Sequence, residues 1–101
     1  MKIENITEIG ITEDNRLYIQ PQKTAFNQIY RTASDVYWDS DRRILITPTP
    51  KEWSFFQWYC HIITNVDSEY DIRLKTNAET NWLNVTEELK NSILNYEISM
   101  L

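Results

Sequence analysis

One glycine in 101 residues is the strongest restriction this chain places on what it can become. A phosphate-binding P-loop or a dinucleotide-binding fingerprint needs several glycines, because the backbone must approach the ligand closely at more than one point. With Gly10 alone, neither can be written. Three prolines accompany it, and no segment is repetitive or low in complexity. Nothing in such a chain reads as a linker, so the sequence predicts a single domain over residues 1–101 with short, tight connections. A chain of this length buries roughly two-thirds of the surface its unfolded form exposes, enough for one core without disulfides or metals.

Hydrophobic periodicity orders the elements. Ile9 and Ile11 alternate with polar neighbours, as do Leu17 and Ile19, and Glu13-Asp14-Asn15 between them is a turn signal. This is a hairpin over roughly residues 5–20, ended by Pro21, which has no amide hydrogen for a ladder. Thr24 is placed to cap a short helix in which Phe26, Ile29, Tyr30 and Ala33 recur at helical spacing. A second hairpin follows, turning at Ser40-Asp41, with Val36, Trp38, Ile44 and Ile46 as its inward positions. Ser54 caps the longest predicted helix, about 55–67, on which Phe55, Trp58, Tyr59, Ile62, Ile63 and Val66 share one broad face. Ile72 and Leu74 mark a fifth strand. A loop then carries Trp82, and Asn84 with Glu87 resembles a capping box that opens a last helix. The predicted fold is therefore α+β: one antiparallel or mixed sheet of about five strands packed with three helices, in the order ββαββαβα.

Charge and composition narrow the partners. Fifteen acidic residues against ten basic ones give a formal charge of −5. A net negative domain repels nucleic-acid backbones and anionic membrane surfaces alike, so neither is an expected partner. The N-terminus has no apolar run of signal-peptide character, and no stretch approaches the roughly 20 apolar residues that span a bilayer. Cys60 is the only cysteine, so no internal disulfide can form. The expected compartment is the cytoplasm.

Reactive groups are sparse. His61, the one histidine, is a sequence neighbour of Cys60, and on a helix their side chains diverge by about 100°. That argues against a metal site and against a cysteine–histidine nucleophile, and the histidine reads as a solvated side chain beside Gln57 and Asn65. No cofactor is expected. Asp35, Asp39 and Asp41 cluster near the second hairpin with Arg42 and Arg43, a pattern that suits a solvated turn with ion pairs. An enzyme would require Asp39, Arg43 and Glu52 to converge in a cleft.

Apolar and aromatic surplus is the more informative signal. Thirteen percent of the residues are aromatic, and Trp53-Ser54-Phe55-Phe56-Gln57-Trp58-Tyr59 is their densest run. Phe55, Trp58 and Tyr59 fall on the core face. Phe56 sits at its edge and Trp53 precedes the cap, a hydrophobic-staple position; with Trp82 they form a candidate aromatic rim. On the last helix, Val85, Leu89, Ile93 and Tyr96 make the core face, whereas Leu94, Ile98 and Leu101 lie far round from it. Three large apolar residues there require either a helix that frays before Ile98 or a surface that covers them. A second subunit is the favoured cover, with the same chain or another protein as the alternatives.

Several stretches carry a family resemblance: Glu8-Ile9-Gly10-Ile11, Arg16-Leu17-Tyr18-Ile19, Phe26, Ile29-Tyr30-Arg31, Ala33, Val36, Trp38-Asp39, Pro50-Lys51-Glu52-Trp53-Ser54, Trp58, Thr80, Trp82 and Glu88-Leu89-Lys90. In this order, over nearly the whole chain, they resemble small bacterial proteins that include products of mobile integron gene cassettes. Lys51 departs from the pattern, where arginine is more usual. The resemblance implies a bacterial, cytosolic α+β protein with no catalytic residues to carry over, and a neighbourhood of accessory genes that includes defence and toxin-neutralising ones. Three functions are compatible with these readings: a non-enzymatic, self-associating interaction module, an immunity-type inhibitor of a basic toxin, and a small carboxylate enzyme. The first is the leading expectation.

Overall fold

The central strand β1, Lys2–Ile11, organises the sheet. A computed structural model of the chain describes residues 2–100. On one side, β1 pairs antiparallel with β2 (Leu17–Pro21), which pairs with β4 (Ile44–Ile46), which pairs with the edge strand β3 (Tyr37–Asp39). On the other side, β5 (Ile72–Lys75) runs parallel to Lys2–Asn5, and β6 (Asn81–Leu83) runs parallel to Glu8–Gly10. The sheet is therefore mixed and has six strands among the described residues, one more than expected. The addition is β6, where a loop was predicted to carry Trp82.

β5 and β6 act as one interrupted strand. Lys2 opposes Ile72, but Glu8 opposes Asn81, so three more residues separate the partners on this edge than on β1. The excess is a turn at Asn77–Thr80, closed by the Thr80 amide donating to the Asn77 carbonyl. The buried Thr80 hydroxyl donates to the Ile6 carbonyl at 2.7 Å, supplying the ladder bond that the interruption removes. A bulge lies beside it. Ile6 opposes Pro21 and Glu8 opposes Gln20, which leaves Thr7 as an extra residue. Ile6, Ile9 and Ile11 thus all reach the core although strict alternation would split them.

Two rows cross the sheet and define its faces. Trp82, Ile9, Ile19, Leu45 and Trp38 are successive register partners on the inner face and belong to, or pack against, the main core. Leu83, Gly10, Tyr18, Ile46 and Tyr37 are the partners one residue along, on the outer face. Ile44 and Ile46, expected inward, join Tyr18 in a separate apolar cluster on that outer face, and Leu45 takes the inward place. The cause is the turn. Residues 40–43 connect Asp39 to its partner Ile44, with Arg43 at φ 58°, and this register pairs Trp38 with Leu45.

There are two helices, not three, among the described residues. The segment predicted as the first helix forms only a single 3-10 turn, Ile29–Arg31. Thr24 is not its cap: the Thr24 amide and hydroxyl and the Lys23 amide all donate to the Glu4 carboxylate on β1. Tertiary hydrogen bonds thereby tie the chain to β1 where a helix would begin. Phe26, Ile29, Ala33 and Val36 are nevertheless fully buried, and Phe26 packs edge-on against Trp38 and Tyr70. Helix α1 spans Phe55–Tyr70, with the expected Ser54 cap forming a reciprocal box with Gln57. Its buried face is Trp58, Tyr59, Ile62, Ile63 and Val66, each worth about 1.5–3 kcal/mol of burial. Helix α2 spans Glu87–Ser99 and is capped by Thr86 rather than Asn84, which instead turns the chain at φ 58°. No helix is long and apolar enough to cross a membrane among the described residues.

Candidate binding sites

Trp82, read from the sequence as part of an aromatic rim, and Leu94 and Ile98 of the last helix's stripe line one depression of about 540 Å³ between the Asn77–Thr80 turn and α2. The indole of Trp82 carries the Lys90 ammonium 5.3 Å above its ring, a cation–π contact that covers part of its face. Leu94 is half-buried there. Ile98 is 65% exposed. α2 is intact through Ser99, so fraying does not explain the exposure. Leu101 lies outside the described residues. Phe56 belongs elsewhere: it is half-buried, packed edge-on against Tyr96 of α2, and serves the joint between the helices.

A carboxylate braces the floor of this depression. Glu97 accepts the Thr76 amide at 3.1 Å and the Thr76 hydroxyl at 2.8 Å, and the buried Tyr59 hydroxyl donates to it at 3.4 Å. Burial, then the neighbouring Glu97 charge, pushes the Tyr59 phenol well above its ordinary value, so it stays a neutral donor. Nothing in the sequence marked Glu97, because its partners arrive from β5 and α1.

Trp53 lies on a second depression, of about 480 Å³, before the start of α1. Its ring is 4.7 Å from that of Trp58 and 5.1 Å from His61. Trp53 is 41% exposed, whereas Trp58 is 8% exposed and its indole nitrogen has no hydrogen-bond partner in the protein. His61, read as a solvated residue, is instead half-buried against both indoles, with Asn65 donating to its carbonyl at 2.7 Å. Asp35, Lys51 and Glu52 border the depression.

The groups an enzyme would need are dispersed. Asp39 closes the hairpin turn by accepting the Asp41 and Arg42 amides. Arg43 donates to the Lys23 carbonyl and lies over the Trp38 ring. Glu52 is at the Trp53 depression, apart from both sets of contacts. Burial pushes the Cys60 thiol up, which disfavours the reactive thiolate. No three His, Cys, Asp or Glu side chains among the described residues are grouped to hold a metal ion.

A family model described as Integron Cassette Protein Hfx_Cass5 matches residues 4–80. The chain belongs to the Hfx_Cass5 integron cassette protein family. A solved structure of Hfx_Cass5 itself, from the mobile metagenome of the North West Arm sewage outfall, is 35% identical over 94% of this chain and 95% of that one, with a TM-score of 0.49. No curated protein matches. The resemblance read from the residues is thus shown. In this Hfx_Cass5 family member the matched region contains the Trp53 depression and Thr80, and it ends before Trp82 and α2.

Proposed function

We propose that this Hfx_Cass5 family member is a non-catalytic binding module that pairs with a second copy of itself through the α2 surface. The observation that carries the reading is the exposure of Ile98 on an intact helix, with Leu94 and Trp82 beside it in one depression. A stable pair buries about 800 Å² on each partner, more than one helical stripe supplies. The apolar surface does continue. Glu97 is shared with a small adjoining cleft that is bordered by Met100 and by Ile3, itself 61% exposed. Leu94, Ile98, Met100 and Ile3 would form the apolar centre of a twofold contact, with the polar residues around them supplying the rest of its area.

Sedimentation equilibrium tests the proposal. The unmodified protein is expected to sediment as a dimer, and the double change Leu94→Asp, Ile98→Asp to yield a monomer with an unchanged circular-dichroism spectrum. A monomeric unmodified protein at tens of micromolar overturns the self-association reading.

A further inference from the structure

We propose that the depression before α1 binds a small organic ammonium ion, held over the indoles of Trp53 and Trp58 and drawn in by the carboxylates of Asp35 and Glu52. The site is distinct from the α2 surface and does not depend on self-association. Its volume of about 480 Å³ lies in the range of small-molecule pockets. Two indole rings 4.7 Å apart and inclined at 55° give an angled aromatic wall. Tryptophan faces are the strongest π partners for a cation, and an angled pair can contact a rounded ammonium from two directions.

Charge decides the ligand class. Among the described residues neither Asp35 nor Glu52 is committed to a salt bridge. Both border the depression, and the chain as a whole carries a formal charge of −5. Lys51 and the N-terminal end of α1 oppose a cation. The helix end contributes only about half a unit of positive charge, which falls off within the first turn. Ser54 and Gln57 already occupy part of it through their capping box. Two carboxylates therefore outweigh one ammonium and a capped helix end.

The second observation is Trp58. Its residue is over nine-tenths buried in the wall, yet its indole N–H has no acceptor in the protein. A buried donor left unpaired costs about 1–3 kcal/mol. Because this nitrogen is out of solvent contact, a hydroxyl or carbonyl on the ligand relieves that cost only where the wall shifts to admit it. The favoured ligand thus carries a quaternary or substituted ammonium and an oxygen acceptor a few atoms away.

Choline has both features, and 3,3-dimethylbutan-1-ol matches its shape and hydroxyl without the charge. Titration of the protein is followed by the indole N–H signals in nitrogen–proton correlation spectra, with sodium chloride at matched ionic strength as the control. Choline should shift the Trp53 and Trp58 signals saturably, and the neutral alcohol should not. Asp35→Asn with Glu52→Gln should weaken choline roughly fivefold, and asparagine tolerates the left-handed backbone at position 35. Trp53→Ala should weaken it by a similar factor, while Leu94→Asp leaves it unchanged. Equal binding of the neutral alcohol, shifts confined to Trp38 and Trp82, or no saturable shift in the unmodified protein overturns the proposal.

Discussion

The ring of Tyr18 lies across Gly10 on the outer face of the sheet, where a Cβ at position 10 would overlap the Tyr18 Cζ and hydroxyl oxygen. The single glycine of the chain is therefore a packing requirement between β1 and β2, not a turn. The Tyr18 hydroxyl completes the arrangement by donating to Glu8, which also accepts from Asn81 on β6. Gly10→Ala should destabilise the protein by about 1–3 kcal/mol, the usual cost of overpacking. In a Tyr18→Val background the same change should cost less than half as much. A urea-denaturation double-mutant cycle measures the coupling, and additive effects would contradict the contact.

The Thr76–Glu97 contact ties the end of β5 to α2. Glu97→Ala leaves the Thr76 amide and hydroxyl without their carboxylate. The expected loss is about 1–3 kcal/mol. Glu97→Gln should retain part of this, because the amide oxygen still accepts. Chemical denaturation of the three proteins gives the ranking.

Glu4 is buried, which opposes its charge, but hydrogen bonds from Thr24 and Lys23 more than offset burial and hold its carboxyl below the ordinary value of 4.5. A depressed carboxylate contributes stability that is fully present above the unfolded value and is lost as pH falls through the folded one. Unfolding free energy should therefore decline below about pH 4.5, and Glu4→Gln should be less stable at pH 7 with a shallower acid decline. Urea midpoints from pH 3 to 7 test this. Parallel profiles for the two proteins would remove Glu4 from the acid response.

Asp71 ends α1 in the left-handed conformation at φ 55°. Glycine is the usual residue at that position, because its backbone adopts this geometry without a Cβ penalty. Asp71→Gly should raise stability by about 0.5 kcal/mol, measured as an increase in Tm. A decrease would mean that the aspartate side chain contributes a contact that outweighs the backbone strain.

Among the described residues, five other than glycine take positive φ: Asn15, Asp35, Arg43, Asp71 and Asn84. Four are Asn or Asp, the side chains that best tolerate this region. The turn signal at 13–15 was legible for this reason, whereas in the second hairpin the left-handed residue is Arg43, which carries no such signal. The hairpin register was not legible, because a single extra turn residue exchanges the faces of every residue in a strand. Ile44 and Ile46 on one side and Leu45 on the other are equally apolar, so composition could not choose between them.

Local physics in the sequence alone determined the α1 core face, the Ser54 cap, the central β1–β2 hairpin and the apolar stripe on α2. Each depends on residues within a few positions of one another, and periodicity reports such relations directly. The family membership was legible too, carried by residues such as Trp53 and Trp58. Tertiary structure decided the rest. Glu4 captured the residues that would have begun a helix, Thr80 bridged an interrupted edge strand, and β6 replaced a loop. It also decided that Trp82 would meet Leu94 and Ile98, and that Trp53 would stand over Trp58 beside Asp35. These outcomes depend on groups distant in sequence, whose energies appear only once the sheet has brought them within hydrogen-bonding or van der Waals reach.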